Sequence, residues 1–239
     1  MKTQNQTMLS ENTLTSRPTD IIAGFPVRPG FFELNGATPL SNGVNFTAHT
    51  RHGTSCELLL FHSGEEEPFA VLPFPNACRI GDVYSMIVMG LDIEDLEYGY
   101  RIDGPYEPEK GHIFDRTKVL LDPYAKAVAG QREWGQQKIG SYHARVVRDS
   151  FDWEDMPQST RKISDLIIYE LHVRGFTQDS SSGVMHPGTF AGFREKIPYL
   201  KELGINAVEL MPIFEFDENM NARTVNGKRL LEYWGYNSV

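Results

Sequence analysis

Two polar residues two positions apart, Glu170 and His172, have the types required for proton transfer. Residues with this spacing on a strand share one face, so a carboxyl and an imidazole could act together as an acid/base pair. The alternative is that they are polar filling inside or at the rim of a sheet, which we expect to be their role. Glu209, on a second predicted strand, has the same two interpretations, and we expect a structural role there too.

The sequence has no residues with the spacing of a known metal-site motif. Glu215, Asp217 and Glu218 could together hold calcium, although carboxylates in a polar loop are usually only solvated, which is what we expect here. The seven histidines are scattered and show no H-E-x-x-H spacing. Cys56 and Cys78 lie outside any CxxC motif and are predicted to be reduced, buried thiols. The sequence therefore predicts neither a metal nor a cofactor.

The amino-acid composition limits the kinds of partner and the cellular location that we expect for this protein. Of 239 residues, 40% are hydrophobic and 23% charged, which is typical of a globular protein, and the formal net charge is −9. That charge argues against a nucleic-acid partner and is compatible with a neutral sugar polymer. Residues 1–23 are polar and are predicted to form a disordered tail without a signal peptide. No apolar run could span a membrane, so we expect a cytoplasmic protein without a membrane partner.

Residues 24–150 have the pattern of short strands separated by turns. Val44, Phe46 and Ala48 alternate with polar residues, and turn sequences precede or follow the other apolar runs. No helix of ten or more residues is predicted in this part. Several short strands with this spacing favour an immunoglobulin-like β-sandwich. The other predicted strands are Cys56–Phe61, Val83–Met89 and Tyr98–Ile102.

Residues 151–239 have a different pattern, with strand, helix and strand in succession. The predicted strands are 165–173 and 205–213, and a helix between them begins after Thr189 as its N-cap and ends before Gly204. Pro198 is expected to kink or weaken this helix. Residues 214–229 are interpreted as an irregular polar excursion. One such unit fits a barrel or an open sheet, but no phosphate-binding loop supports a nucleotide site.

Five motifs in one order resemble the N-terminal portion of isoamylase-type glycogen/starch debranching enzymes of the α-amylase superfamily. The first two are similar to the N-terminal domain of that family, and the last three to the start of its catalytic barrel. No motif is decisive alone, but their order is specific. They are Tyr98–Tyr106, Phe114–Val128, Tyr169–Thr177, Gly188–Ile213 and Tyr233–Asn237.

The resemblance implies that residues 151–239 are the first β-α-β part of an incomplete, truncated (β/α)₈ barrel. It also implies hydrolysis of α-1,6-glucosidic bonds by an Asp nucleophile and a Glu acid/base held about 5–5.5 Å apart. Both positions, and the family's Asp-x-x-x-Asn-His block, lie beyond this chain. No catalytic residue is therefore predicted here, and the chain alone is expected to be inactive. The alternatives are a non-catalytic glycan-binding module and a fragment of an α-1,4-glucan branching enzyme.

The resemblance also implies a substrate-binding site at Tyr236 and Trp234. A tyrosine at this motif stacks on the sugar beside the cleaved bond in the family, and an aromatic ring suits the C–H face of a pyranose. Trp234 is more often a packing residue. Trp134, Trp153 and the tyrosines of 98–106 are weaker candidates for a sugar platform. The implied partner is a branched α-glucan such as glycogen, amylopectin or limit dextrin.

Overall fold

The computed structural model describes residues 17–129, 133–136, 142–148, 151–154, 156 and 159–239. These residues form two compact units. The first unit comprises the described residues up to 129 together with 142–148. The second comprises 133–136 and the described residues from 151 onward.

Thirteen strands form the described part of the first unit, and their pairings are antiparallel. The strands are β1 (Asp20–Ile22), β2 (Phe25–Pro29), β3 (Gly36–Pro39), β4 (Gly43–His49), β5 (Ser55–His62), β6 (Ala70–Pro73), β7 (Arg79–Ile80), β8 (Val83–Met89), β9 (Leu96–Asp103), β10 (Tyr106–Glu107), β11 (His112–Ile113), β12 (Ala127–Ala129) and β13 (His143–Arg145).

Two sheets pack face to face in this unit. One has the order β1-β2-β8-β4-β3, with β7 paired to β8, and the other has the order β12-β13-β9-β5-β6. Alternate side chains of both sheets fill the common core, as shown by Phe46 of β4 and Tyr98 of β9, whose ring centroids lie 5.1 Å apart. The predicted β-sandwich is therefore present.

The apolar runs of the sequence locate the central strands well. The predicted strand Val83–Met89 coincides with β8, and those at Cys56–Phe61 and Tyr98–Ile102 lie inside β5 and β9. Gly81 and Gly90, which flank β8, both have positive φ, a backbone conformation that glycine adopts without steric cost. These turn residues fix both ends of the strand.

One expectation for the first unit is wrong. Asp20–Ile22 pairs with β2, so the predicted disordered tail does not extend to residue 23; residues 1–16 lie outside the described part. In addition, Asn45 and Thr47 are buried although they point away from the core. The backbone at Phe31 covers them, since its N–H donates to Asn45 Oδ1 at 2.8 Å and its carbonyl accepts from Thr47.

A buried carboxyl joins the two signature segments of the sandwich. The Tyr98 hydroxyl donates to Asp122 Oδ2 at 2.8 Å, and the Tyr124 N–H donates to Asp122 Oδ1 at 2.8 Å. Burial raises the pKa of Asp122 above its ordinary value, and burial together with the neighbouring Asp122 raises the pKa of Tyr98. Tyr100 and Leu120 add a backbone bridge beside this contact.

Both cysteines are free and buried, as predicted. Burial raises the pKa of the Cys56 thiol to about 12 and that of Cys78 to about 11. Because the thiolate is the reactive form, these thiols are poor nucleophiles at neutral pH.

The second unit contains a parallel strand pair, three short helices and a hairpin. β14 pairs with β15 in parallel, and α1, α2 and α3 lie between them in the chain, so the predicted β-α-β connection is confirmed. The elements are β14 (Ile168–Leu171), α1 (Val173–Thr177), α2 (Phe190–Glu195), α3 (Ile197–Glu202), β15 (Ala207–Leu210), β16 (Arg223–Val225) and β17 (Lys228–Leu230).

The helical segment is interrupted as its proline suggests. Thr189 caps α2 by accepting a hydrogen bond from Gly192 N–H at 3.1 Å, and Gly204 ends the segment with a φ of +88°. The helix breaks at Lys196, so that Pro198 falls in the first turn of α3, where a missing N–H is tolerated. Within the part of the chain that the structure describes, no helix is long and apolar enough to cross a bilayer.

The predicted strands 165–173 and 205–213 are too long at both ends, since β14 spans Ile168–Leu171 and β15 spans Ala207–Leu210. Ile163–Asp165 forms a 3₁₀ turn, and the Ile167 N–H donates to the Asn206 side chain at 2.8 Å, so the strand begins only at Ile168. The segment expected to be irregular contains the β16–β17 hairpin. Its two-residue Asn226-Gly227 loop has φ values of +50° and +76°, as a type I′ turn requires.

Candidate functional site

His172 lies at the point where β14 ends and α1 begins. It was expected to share a strand face with Glu170, but it follows the strand and serves as the N-cap of α1. Its Nδ1 accepts a hydrogen bond from Gly175 N–H at 3.1 Å. The structure therefore does not assemble Glu170 and His172 as an acid/base pair on one strand.

The second nitrogen of His172 reaches the Tyr233 backbone. Nε2 lies 2.9 Å from the Tyr233 carbonyl oxygen, which can only accept. Because Nδ1 already accepts from Gly175, the ring proton is assigned to Nε2, which donates to Tyr233. One imidazole thus fixes both the start of α1 and the segment that carries the predicted sugar-binding residues.

Three rings form a cluster around this hydrogen bond. The His172 and Tyr233 rings are stacked, with centroids 4.3 Å apart and planes at 18°. Trp234 meets both rings edge-on, at 6.0 Å from His172 and 5.2 Å from Tyr233. We call His172, Tyr233 and Trp234 the aromatic cluster.

Gly175 allows the aromatic cluster to pack against α1. A Cβ built at Gly175 would overlap the Tyr233 hydroxyl. The glycine is therefore required by close approach of a neighbouring side chain, and its place inside a helix costs about 0.5–1 kcal/mol relative to alanine.

The structure brings Trp234 into the aromatic cluster and leaves Tyr236 at the surface. Trp234 is 50% exposed and Tyr236 is 72% exposed. Past Tyr236, Asn237 Nδ2 donates to the Asp217 carbonyl at 3.1 Å, and Ser238 bridges to Phe216. The backbone is thus anchored on both sides of Tyr236, whose ring is free to meet a flat apolar surface.

A second group of contacts surrounds Phe216, the residue that bridges to Ser238. The Arg174 guanidinium lies 4.2 Å from the Trp134 ring centroid, and Trp134 meets Phe216 edge-on at 5.8 Å. Trp134 is therefore a packing residue of the second unit. Trp153 pairs edge-on with Phe151 at 4.9 Å, and both are largely exposed.

Glu218, in the acidic loop, is buried in the structure instead of solvated. This residue is 4% exposed, and its Oε1 accepts from Gly135 N–H at 2.5 Å, while its carbonyl accepts from Glu232 N–H at 2.8 Å. The expectation of a merely solvated carboxylate is wrong there, because the side chain is buried and accepts a hydrogen bond from the Gly135 N–H. In the described ranges, no group of three His, Cys, Asp or Glu residues has the arrangement of a metal site.

The remaining residues that the sequence suggests as site residues do not come together in one site. Glu170 and Glu209 lie side by side in the β14–β15 register and are both exposed. Tyr106, in the turn of the sandwich, is largely exposed. The role of His172 as a cap and anchor is not predicted from the sequence. The signal available was its place directly before a short segment that contains Gly175.

The sandwich has a recognisable family match. Residues 35–125 match the model described as carbohydrate-binding module 48 (isoamylase N-terminal domain). Residues 35–125 therefore resemble an isoamylase N-terminal domain. Tyr98 and Asp122, which are joined by the buried hydrogen bond, both lie inside this domain.

The relatives extend the match through the second unit. The chain is 37% identical over 217 residues to "Isoamylase 1, chloroplastic" of Arabidopsis thaliana, covering 85% of this chain and 28% of that protein. It is 34% identical over 227 residues to "Glycogen debranching enzyme" of Salmonella typhi, covering 86% of this chain and 33% of that one. The chain thus spans about a third or less of these relatives, and resembles the N-terminal portion of isoamylase-type debranching enzymes.

Solved structures share the fold. Apo pullulanase from Paenibacillus barengoltzii has a TM-score of 0.60 and 21% identity, covering 77% of this chain and 27% of the pullulanase. Type I pullulanase from Bacillus subtilis, complexed with maltose, has a TM-score of 0.59 and 23% identity, covering 79% of this chain and 25% of that one. Both similarities concern the fold alone.

Proposed function

We propose that this chain is the N-terminal portion of a hydrolase that removes α-1,6-linked branches from glycogen or starch. The observation that carries the proposal is the anchoring of the 233–237 segment by His172 at the carboxyl end of β14. In barrels of alternating strands and helices, residues at this end of the strands form the active site. The isoamylase N-terminal domain that precedes β14 supports the same assignment.

We take β14, β15 and the helices between them to be the first part of a (β/α)₈ barrel. The parallel pairing of Ile168–Leu171 with Ala207–Leu210 supports this, since adjacent strands of such a barrel are parallel and joined through helices. The first unit, which includes β1 (Asp20–Ile22), then corresponds to the sandwich, and residues 151–239 correspond to the start of the barrel.

Within this site, Tyr236 is the proposed sugar-stacking residue and Trp234 supports it. Tyr236 presents its ring from a segment anchored on both sides, which reduces the entropy lost when a sugar binds. Trp234 has one edge against His172 and half of its surface exposed, so it can pack and still border the sugar. The proposed partner is glycogen, amylopectin or limit dextrin.

We assign no catalytic residue within the 239 residues, and we expect this polypeptide alone to be inactive. A retaining glycosidase needs two carboxyls about 5–5.5 Å apart on a rigid frame, and the described strands of the second unit supply two parallel members of such a frame. The assay is incubation of the purified polypeptide with amylopectin and measurement of new reducing ends. Turnover above a buffer blank would refute the expectation.

The assignment to debranching enzymes is tested by the DNA that follows the codon for Val239. We expect a continuation, in the same frame or a shifted one, that encodes Asp-x-x-x-Asn-His followed by further strand and helix patterns. A continuation that lacks the Asp-x-x-x-Asn-His block would contradict the proposal. A continuation that resembles α-1,4-glucan branching enzymes more closely than debranching enzymes would replace it with that alternative.

A non-catalytic glycan-binding module is the second candidate, because residues 35–125 match a carbohydrate-binding module. Retardation of the polypeptide in a glycogen-containing native gel, with no hydrolytic continuation in the DNA, would favour it. We also propose a cytoplasmic location, which cell fractionation tests; the name of the Arabidopsis thaliana relative describes that protein as chloroplastic.

A further inference from the structure

Three Asn-Gly pairs occur in the sequence: Asn35-Gly36, Asn42-Gly43 and Asn226-Gly227. In such a pair the backbone nitrogen of the glycine can attack the side-chain Cγ of the asparagine, because glycine has no Cβ that hinders the approach. All three asparagines are exposed. The surroundings of the three glycines therefore decide which pair can react in the folded protein.

The Asn226-Gly227 pair lies in open space. It forms the two-residue loop of the β16–β17 hairpin, and every residue from 223 to 229 is exposed. A Cβ built at Gly227 would meet no other atom within 4 Å. The peptide that joins the two residues can therefore rotate toward the Asn226 side chain without displacing a neighbour.

The other two pairs are held by the packed sheets of the sandwich. Gly36 belongs to β3 and is buried, and a Cβ built there would lie only 2.9 Å from Tyr124 Cβ. Gly43 begins β4, and a Cβ built there would overlap a backbone carbonyl of β8. The Asn42 carbonyl also accepts from Gly90 N–H at 3.2 Å. Ring closure in either pair would have to displace packed backbone.

Basic residues flank the Asn226-Gly227 pair. Lys228 and Arg229 follow it directly, and Arg223 lies on the opposite strand of the hairpin. Removal of the proton from the Gly227 N–H requires a base, and cations raise the local concentration of hydroxide. The same cations favour the carboxylate that replaces the amide.

We propose that Asn226 is a site of spontaneous deamidation, at which the folded protein acquires aspartate and isoaspartate. The Gly227 nitrogen loses its proton to solvent base and bonds to Asn226 Cγ, while the Cγ–Nδ2 bond breaks and ammonia leaves with a proton from water. Water then opens the cyclic imide. Opening at Cγ gives aspartate, and opening at the main-chain carbonyl gives isoaspartate, in which the chain runs through the former side chain.

Isoaspartate at this position would disrupt the hairpin. It adds a backbone atom to a two-residue loop whose type I′ geometry matches the twist of both strands. Arg229 of β17 ties the hairpin to the preceding loop, since its Nη2 donates to Asn219 Oδ1 at 2.6 Å. Loss of the strand register would release this contact, so the modification changes the local structure as well as the charge.

The test is incubation of the 239-residue polypeptide at mildly alkaline pH, followed by protease digestion and mass spectrometry of the peptides that contain the three pairs. We expect Asn226 to be converted at least about tenfold faster than Asn35 or Asn42, because the latter react only when the sheets open locally. In denaturant the three rates should become similar. The product at Asn226 should include a form that an isoaspartate methyltransferase labels.

Asn226→Gln tests the route, because it keeps the amide while its longer side chain cannot close the same ring. It should abolish the isoaspartate signal from this peptide. Asn221→Gln is the matched control, since Asn221 is exposed in the same unit but precedes Ala222, and it should leave conversion at Asn226 unchanged.

An intact Asn226 in the folded protein, equal rates at the three pairs before denaturation, or a difference in rates that persists in denaturant would each overturn the proposal. None of these results bears on the debranching assignment, which the coding DNA tests separately.

Discussion

His172 donates a hydrogen bond from Nε2 to the Tyr233 carbonyl and stacks its ring on the Tyr233 ring, so that one side chain holds both the backbone and the side chain of its partner. The same imidazole caps α1 through Nδ1. The end of β14 and the loop that carries Trp234 and Tyr236 are therefore coupled through a single residue.

Replacement of His172 by alanine should loosen the 233–237 segment. The change removes two hydrogen bonds and a ring stack, each worth about 0.5–1.5 kcal/mol, so amide exchange in this segment should accelerate about tenfold or more. Hydrogen–deuterium exchange with mass spectrometry measures the effect. His186→Ala, in the same unit, is the matched control and should leave exchange at 233–237 unchanged.

Gly175→Ala should be destabilising only while Tyr233 keeps its hydroxyl. Alanine favours a helix over glycine by about 0.5–1 kcal/mol, but its Cβ would overlap the Tyr233 hydroxyl oxygen. We expect a lower melting temperature for Gly175→Ala alone and recovery in the Gly175→Ala/Tyr233→Phe double variant, measured by thermal denaturation. Additive effects of the two substitutions would show that the hydroxyl is not the obstacle.

Tyr98→Phe should destabilise the sandwich. The substitution leaves the buried Asp122 carboxyl without its hydroxyl donor, which costs about 1–3 kcal/mol. Urea denaturation followed by circular dichroism measures the free energy of unfolding. Tyr106→Phe removes the same atom from a largely exposed side chain and should change the free energy by no more than about 0.5 kcal/mol. Equal effects at the two positions would contradict the role of Asp122.

The stability of the sandwich should depend on Asp95 at neutral pH and lose this dependence in acid. The Ser63 N–H and His62 lower the pKa of Asp95 below its ordinary value of 3.8. A carboxyl whose pKa is lower in the folded state binds more protons when unfolded, so its stabilising contribution is present above that ordinary value and is lost as the pH falls through the folded pKa. The melting temperatures of wild type and Asp95→Asn should therefore differ at pH 6 and converge in strong acid.

A difference in melting temperature that persists in strong acid would show that Asp95 acts through packing instead of charge.

Local sequence signals predict the sandwich strands because each is bounded by turn chemistry. Val83–Met89 is the clearest example, since Gly81 and Gly90 mark its ends. The same signals indicate Thr189 as a cap and Gly204 as a helix end. Asn226-Gly227 is an equally clear hairpin signal in the sequence, although the polar composition of residues 214–229 favours an irregular excursion.

Contacts between distant segments could not be predicted from local pattern. Asn45 and Thr47 alternate with core residues as solvent-facing positions do, yet the Phe31 backbone covers them from fourteen or more positions away. His172 was placed on a strand because its apolar neighbours continue the strand pattern. Its interaction with Tyr233, 61 positions later, decides its role and leaves no local trace.

The β14–β15 pair has a practical consequence for work with the isolated polypeptide. Ile168 and Val208 are 52% and 41% exposed on these strands, and uncovered strands of this kind recruit other chains during purification. The adjacent Glu170 and Glu209 oppose such self-association by mutual repulsion, which dissolved salt screens. Dilute samples at low ionic strength should therefore remain monodisperse longest, and concentrated high-salt stocks should be the first to precipitate.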